Sequence, residues 1–434
     1  MYNPTLLEPI FSRWGIPLRG ARFLVAFSGG LDSTVLAQSM VCLADRHGFT
    51  LTLGHINHRL RTEADRDEAF CQEFANSRGL PFHTASLDPG GREKESIEAW
   101  ARRERYAALE NMRLQVGAKW ILTAHHADDQ VETVLMRLMQ QAPLMSLAGV
   151  RPQWRKVLRP LLSFTREQLC EWAVCERLEW VEDQTNIDQR FLRNRLRHAL
   201  VADDTNARDT LLGLARLAQE YEARCVAVAK QLTRLATEGT IPGTAVMPIE
   251  ALSEVEEDIF KLAVQEVVQR FLGITLRLSS PHWQNFRHFV RVSTVGKVFE
   301  LPHSVLALRD RGQVVFYRIE QAVVPEKCAL KPGRTRWGYN EFLVTPMDSP
   351  AGATDLWLRS WRSGDRAVVT SGRRPKLVSD IYIDAHLNCL EKVHWPLVVT
   401  EQDEVVWVPG LGVPRDRFDK TPWSIVWQTQ FRKR

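Results

Sequence analysis

Apolar residues come in short, tight runs over the first part of the chain, and amphipathic stretches separate them. Residues 23–27, 51–56, 82–85 and 120–124 are rich in β-branched, aliphatic and aromatic side chains and predict strands. Between them, 34–44, 64–77 and 97–113 carry the spacing of helices. Strands alternating with helices of that length predict an α/β domain with a parallel sheet, its ligand beyond the C-terminal ends of the strands. Thr165-Arg166-Glu167-Gln168 has the Thr-x-x-Gln form of a capping box and predicts a further helix.

The pattern changes near residue 200. A helical stretch rich in Ala, Leu and Arg covers about 206–236 and ends in Gly239, Pro242 and Gly243. Residues 249–272 are again helical, whereas 292–319 alternates like short strands with turns at Gly296 and Asp310-Arg311-Gly312. Beyond Val324-Pro325, Pro, Gly and Trp punctuate short β-rich runs such as 397–400 and 405–408. The expected organisation is an α/β parallel-sheet domain over 1–212, a mainly helical middle domain over 213–324 and a small β-rich C-terminal domain over 325–434.

Composition narrows the class. A chain of 434 residues exceeds one compact core and suggests about three domains. With 44% hydrophobic and 25% charged residues, bulk disorder is excluded. A net charge of +5 permits a nucleic-acid partner without requiring one. Seven scattered cysteines with no Cys-x-x-Cys pair argue for reduced thiols and against a zinc knuckle or iron–sulfur site. No basic-then-apolar leader opens the chain and no apolar run reaches eighteen residues, so a cytoplasmic protein without a membrane partner is expected.

The first predicted strand breaks on Ser28-Gly29-Gly30-Leu31-Asp32-Ser33 and restarts as a helix. That joint aims free backbone N–H groups and the positive end of a helix dipole at the loop, which suits phosphate. Ser28 and Ser33 add hydroxyl donors, and Asp32 fits such a cradle if Mg²⁺ arrives with the phosphate. The Gly-x-x-x-x-Gly-Lys-Ser/Thr pattern of γ-phosphoryl transfer is missing. The form SGGxDS instead resembles the PP-loop of ATP pyrophosphatases, which leave AMP on their substrate.

Three further segments carry candidate chemistry. His125-His126-Ala127-Asp128-Asp129-Gln130-Val131-Glu132 follows the fourth strand. A helix starting there puts Asp129 and Glu132 on one face at its positive end, where they can grip Mg²⁺ or an ammonium group, and His125 can meet phosphate or move a proton. Simple N-capping by an aspartate explains the same residues. Glu98, Arg102 and Arg105 recur at i, i+4 and i+7; an arginine there suits charge on a transferred phosphoryl group, but from the spacing alone a solvated salt-bridged face is the stronger reading. Arg190, Arg193, Arg195 and Arg197 suit phosphate contacts to RNA or nucleotide. Past residue 330, seven of the fourteen tryptophans are interleaved with Arg359, Arg362, Arg366, Arg373, Arg374 and Lys376, a mixture that suits unpaired RNA, although single tryptophans in a small β domain are usually core.

In order along the chain, residues 28–33, His55-Ile56-Asn57-His58-Arg59-Leu60-Arg61, Glu98 with Arg102 and Arg105-Tyr106, and 125–133 resemble the tRNA(Ile)-lysidine synthetase family. The likeness continues through Arg159-Pro160-Leu161-Leu162, Trp180-Val181-Glu182-Asp183-Gln184-Thr185-Asn186 and 193–198. It implies an adenine nucleotide alpha hydrolase-like fold in the longer form of the family, with a helical linker domain and a C-terminal RNA-binding domain. The implied reaction uses ATP and Mg²⁺ to adenylate the 2-oxo group of the wobble cytidine in an isoleucine tRNA bearing CAU. The ε-amine of free L-lysine then displaces AMP, giving lysidine. The resemblance implies that Ser28, Gly29, Gly30, Leu31, Asp32 and Ser33 bind ATP, with Asp32 near Mg²⁺. It also implies that Arg102 offsets phosphoryl charge, that His125, Asp129 and Glu132 serve adenylation or lysine binding, and that Arg193 closes the site. A homodimer is left open.

Two stretches depart from the family pattern: Gln140-Gln141-Ala142-Pro143-Leu144-Met145-Ser146-Leu147 stands where a glycine-rich loop is usual, and Lys376-Leu377-Val378-Ser379-Asp380 matches only loosely. The rival readings are another PP-loop enzyme, a tRNA thiolase or a small-molecule amidating enzyme, and a non-catalytic RNA-binding protein. Against the first pair stands the lack of a cysteine pair or a glutaminase-like segment; against the last stands the intact 28–33 string.

Overall fold

The computed structural model describes residues 2–57, 64–87, 97–182, 205–346, 355–369, 374–412 and 423–431. The chain forms two compact units, Met1–Glu222 and Ala223–Arg434.

The first unit is built on a six-stranded sheet in the order β3-β2-β1-β4-β6-β5. Its strands are β1 (Arg22–Ala26), β2 (Thr50–Asn57), β3 (Phe82–Ser86), β4 (Trp120–Leu122), β5 (Gln153–Trp154) and β6 (Val157–Leu158). All pairings are parallel except β5 with β6. Alternate residues of β1 serve opposite faces: Phe23 and Val25 pack with Val35, Leu36 and Met40, while Leu24 packs with Leu109 and Met112. A strand covered on both sides must be apolar throughout, which is why β1 reads as a continuous apolar run.

The covering helices include α1 (Glu8–Arg13), α2 (Leu31–His47), α3 (Ala64–Ser77), α4 (Ile97–Gln115), α5 (Ala127–Met139) and α6 (Arg166–Cys175). Helix α6 starts at the anticipated box, Thr165 accepting from the Gln168 N–H at 3.2 Å and Gln168 accepting from the Thr165 N–H at 3.0 Å. The strand order reverses between β1 and β4, opening a crevice beyond their C-terminal ends. The Ser28–Ser33 loop follows β1 and the two histidines follow β4, so both border that crevice.

The second unit begins within the helix Thr205–Leu232. Next comes a five-stranded antiparallel sheet, ordered β7-β8-β11-β10-β9. Its strands are β7 (Thr237–Glu238), β8 (Ala245–Pro248), β9 (Val298–Leu301), β10 (Val305–Asp310) and β11 (Gln313–Arg318). It shares a core with the helices Glu257–Leu272 and Ser280–Val292. The second of these was not anticipated. Among the described residues beyond Val324 the chain is β-rich, with four-, three- and two-stranded sheets and two short helices, Val378–Asp384 and Cys389–His394. Leu390 and Phe431 join Ile241, Leu306 and Tyr317 in one apolar cluster, so the two halves of this unit share packing.

Candidate active site

The loop after β1 is held open for an anion. Gly29 has φ +82°, and a Cβ there would sit 3.0 Å from Cys71 Sγ and 3.1 Å from the Phe70 ring, so both conformation and space call for glycine. Gly30 is the N-cap of α2 without a side-chain cap, and the first N–H to bond back to it is that of Thr34, at 3.0 Å. The preceding N–H groups of the first turn, with the dipole behind them, suit phosphate oxygens. Ser33 Oγ donates to Gly30 O at 3.0 Å and accepts from the Ser28 N–H at 3.2 Å, which stiffens the cradle. The Leu31 side chain is core, leaving only its backbone for a ligand.

Asp32 projects from this turn toward the histidine loop. Its Oδ2 lies 3.6 Å from His126 Nε2 and its Oδ1 lies 3.8 Å from Arg166 Nε. Oδ1 is buried and accepts no hydrogen bond. An orphaned carboxylate oxygen beside an anion cradle suits a hard cation carried with phosphates. Among the described residues, no group of three or more His, Cys, Asp or Glu makes a self-contained metal cluster.

His126 is the centre that sequence reasoning missed. It is 2% exposed, with Nδ1 3.3 Å from Asp128 Oδ2 and Nε2 3.7 Å from Asp129 Oδ2. Burial pulls its pKa down, but Asp128, Asp32 and Asp129 outweigh that and lift it to about 10, so it is a cation at neutral pH. Asp128 is spoken for: it accepts the Arg166 N–H at 2.7 Å and lies 3.4 Å from Arg208 Nε, tying α5 to the start of α6 and to the long helix. Burial raises the Asp128 pKa, but these partners and His126 hold it at about 2. Asp129 caps α5 by accepting the His126 N–H at 3.0 Å, and Glu132 lies one turn on, 1% exposed.

His125 has the opposite surroundings. Its Nδ1 is 3.0 Å from Thr123 Oγ1. Burial drives its pKa down to about 3; Asp129 opposes, while Arg159, Arg105 and Arg102 reinforce, so the ring is neutral. Arg102 and Arg105 lie 5.3 Å and 5.7 Å from the Tyr106 ring centre, and Arg159 donates to the Tyr106 hydroxyl at 3.0 Å. The crevice thus has an acidic side around Asp32, Asp129 and Glu132 and a basic side around Arg102, Arg105 and Arg159.

Of the residues singled out, the structure brings Ser28, Gly29, Gly30, Leu31, Asp32 and Ser33 together with His125, Asp129 and Glu132 at the strand ends, and carries Arg102 to the same place on α4. Arg193, its neighbours 183–198, residues 58–61 and the Glu98 side chain lie outside the described residues. The 140–147 segment runs into a 3₁₀ turn, Leu144–Ala148, whose Ala148 carbonyl accepts from Gln130 and Gln219, each at 2.9 Å. The His126 role was signalled only by carboxylates two and three positions on. Arg159 was signalled by nothing but its place in a quoted motif.

In the second unit Arg359 is buried against Asp365 and Asp403, so it is structural rather than exposed to RNA. Trp337, Trp395, Trp407 and Trp427 all donate their ring N–H within the unit, as core tryptophans do. Arg366 and Arg374 are exposed, Lys376 pairs with Asp384, and Arg373 lies outside the described residues.

Family comparison assigns the class first: residues 7–203 match the PP-loop domain, and 356–427 match the TilS substrate C-terminal domain. Full-length relatives then specify the member. A tRNA(Ile)-lysidine synthase of Geobacter sulfurreducens is 30% identical, covering 90% of this chain and 89% of its own. That of Symbiobacterium thermophilum is 32% identical, covering 93% and 92%. One of Burkholderia mallei is 41% identical over 46% of this chain and 42% of its own. The chain belongs to the tRNA(Ile)-lysidine synthase family.

Proposed function

We propose that the crevice between β1 and β4 is where this chain makes lysidine, as its family membership implies, consuming ATP and joining L-lysine to the wobble cytidine of an isoleucine tRNA with a CAU anticodon. The observation that carries the reading is the pairing of a phosphate cradle with two oppositely charged sides at the sheet's switch point.

The chemistry divides between those sides. The cytidine 2-oxygen attacks the α-phosphorus of ATP, the bond to the β-phosphate breaks, and pyrophosphate leaves. The N–H groups after Gly30 hold phosphate oxygens, and Arg102 offsets charge on the transferred group. Asp32, through its orphaned Oδ1, would hold Mg²⁺, which neutralises phosphate charge when bound. The ε-nitrogen of lysine then attacks C2, the C–O bond breaks and AMP departs. Asp129 and Glu132 receive the ammonium end of lysine, and His125, held neutral, serves the adenylation or lysine pocket. Arg193 and its neighbours close the site over lysine or tRNA. The β-rich residues 325–434 carry tRNA contacts, acting within a cytoplasmic enzyme.

Incubation with ATP, labelled lysine and unmodified tRNA tests this. Label should enter the tRNA, and Asp32→Ala or Asp129→Ala should abolish it; folded protein that incorporates none refutes the reading.

A further inference from the structure

We propose that Tyr106 and Arg159 are positioning residues for adenylation: buried Arg159 fixes the Tyr106 ring, and the ring in turn fixes the guanidinium of Arg102. The inference rests on the reading of Arg102 as the group that meets the phosphoryl charge.

Arg159 follows β6, a two-residue strand that lays it at the edge of the crevice. It is 3% exposed, and among the described residues its hydrogen-bond partners are a carbonyl and a phenol rather than a carboxylate. Nη1 donates to the Arg151 carbonyl at 2.7 Å, Nη2 donates to the Tyr106 hydroxyl at 3.0 Å, and Nε is buried without a partner. Burying a guanidinium away from an acid costs free energy, so its two hydrogen bonds, one of them to the Tyr106 hydroxyl, are what hold it in place.

Tyr106 is what Arg159 reaches. Its ring meets the edge of Trp154, on β5, at 5.7 Å, so the β5–β6 hairpin grips it at both the ring and the hydroxyl. Arg102 lies one helical turn earlier on the same face of α4, with its guanidinium 5.3 Å from the ring centre. Arg102 itself is exposed, so without that ring its long side chain has many rotamers to occupy. A guanidinium displaced by about 1 Å from a developing phosphoryl charge costs on the order of 10²-fold in rate. The charges of Arg159, Arg105 and Arg102 all bear on His125, which places the three on one side of the crevice. The arrangement also explains why the distant segments Arg105-Tyr106 and Arg159-Pro160 belong together.

The test follows tRNA-dependent pyrophosphate release by the full chain, with melting midpoints for every variant. Arg102→Ala and Tyr106→Leu should each lower kcat by about 10²-fold, with KM for ATP changed by less than about threefold. The double variant should be no slower than either single one, because the tyrosine acts only through the arginine. Losses that multiply, or a Tyr106→Leu effect confined to KM, overturn the inference. If Tyr106→Leu melts below the assay temperature, Tyr106→Phe decides: a loss of about fivefold that vanishes in the Arg102→Ala background supports it, and the same loss in both backgrounds refutes it. An Arg102→Ala variant with the original rate removes the underlying reading, and the inference with it.

Discussion

Arg159 and Arg359 are the same residue at the same burial, each 3% exposed and each close to a strand end, yet their company is opposite. Arg359 is saturated by acids. It pairs with both oxygens of Asp365 at 2.8 and 2.9 Å and with Asp403 Oδ1 at 3.1 Å, while Lys327 and Arg362 share Asp403. Lys327, Arg362 and Arg359 outweigh the effect of burial and hold the Asp403 carboxyl at about 2, so the network stays ionised. Arg159 has a carbonyl, a phenol and an orphaned Nε. A buried cation with every donor paired to an anion fastens a fold. One left short of negative charge, beside a crevice, spends its donors on a neighbour instead and holds the Tyr106 hydroxyl in place.

The comparison can be broken by exchanging the readouts. Arg359→Ala should destabilise the protein by about 3–5 kcal/mol in denaturant titrations, because two acids lose their buried partner. Lysidine formation per folded molecule should not change. Arg159→Met, which keeps the volume, should cost less than about 1.5 kcal/mol of stability but lower kcat for pyrophosphate release by about 10²-fold. If Arg159→Met unfolds the chain instead, both arginines are fasteners and the contrast fails. Gly29→Ala forces a side chain into a left-handed backbone and against Cys71, so a loss of about 1–2 kcal/mol, with weaker ATP binding by calorimetry, is expected.

The smallest effect is on pH dependence, and it sharpens the same contrast within the first unit. The depressed pKa of His125 supplies stability that is complete above its ordinary 6.5 and is lost as pH falls toward about 3. The raised pKa of His126 supplies stability that is complete below 6.5 and is lost as pH rises through about 10. Urea midpoints should therefore decline on both sides of pH 6.5. His125→Gln should flatten the acid arm and His126→Gln the alkaline arm; arms unaffected by either change would show that neighbours other than these rings set the profile.

Much of this was readable in order along the chain. Four of the six strands of the first sheet announced themselves, β1 most plainly because a strand covered on both faces must be apolar, and glycines marked the loop because only glycine takes φ +82° against Cys71. Strands β5 and β6 were not legible, since two residues such as Val157-Leu158 show no period. With them went Arg159. The two adjacent histidines could not be told apart either. Successive residues leaving a strand point to opposite sides, so one ring met three carboxylates and the other met three guanidiniums.

The phosphate loop, the parallel sheet that carries it and the family whose ordered motifs the chain shares are all written in local spacing. Tertiary structure decided which charges are spent and which are available. Asp128 is consumed by Arg166, Arg208 and His126, whereas Asp32 keeps a buried oxygen that accepts no hydrogen bond; Arg359 is neutralised by acids, and Arg159 is not. Local spacing cannot tell these apart, because ionisation and pairing depend on partners brought from tens or hundreds of residues away into a medium where charge is weakly screened.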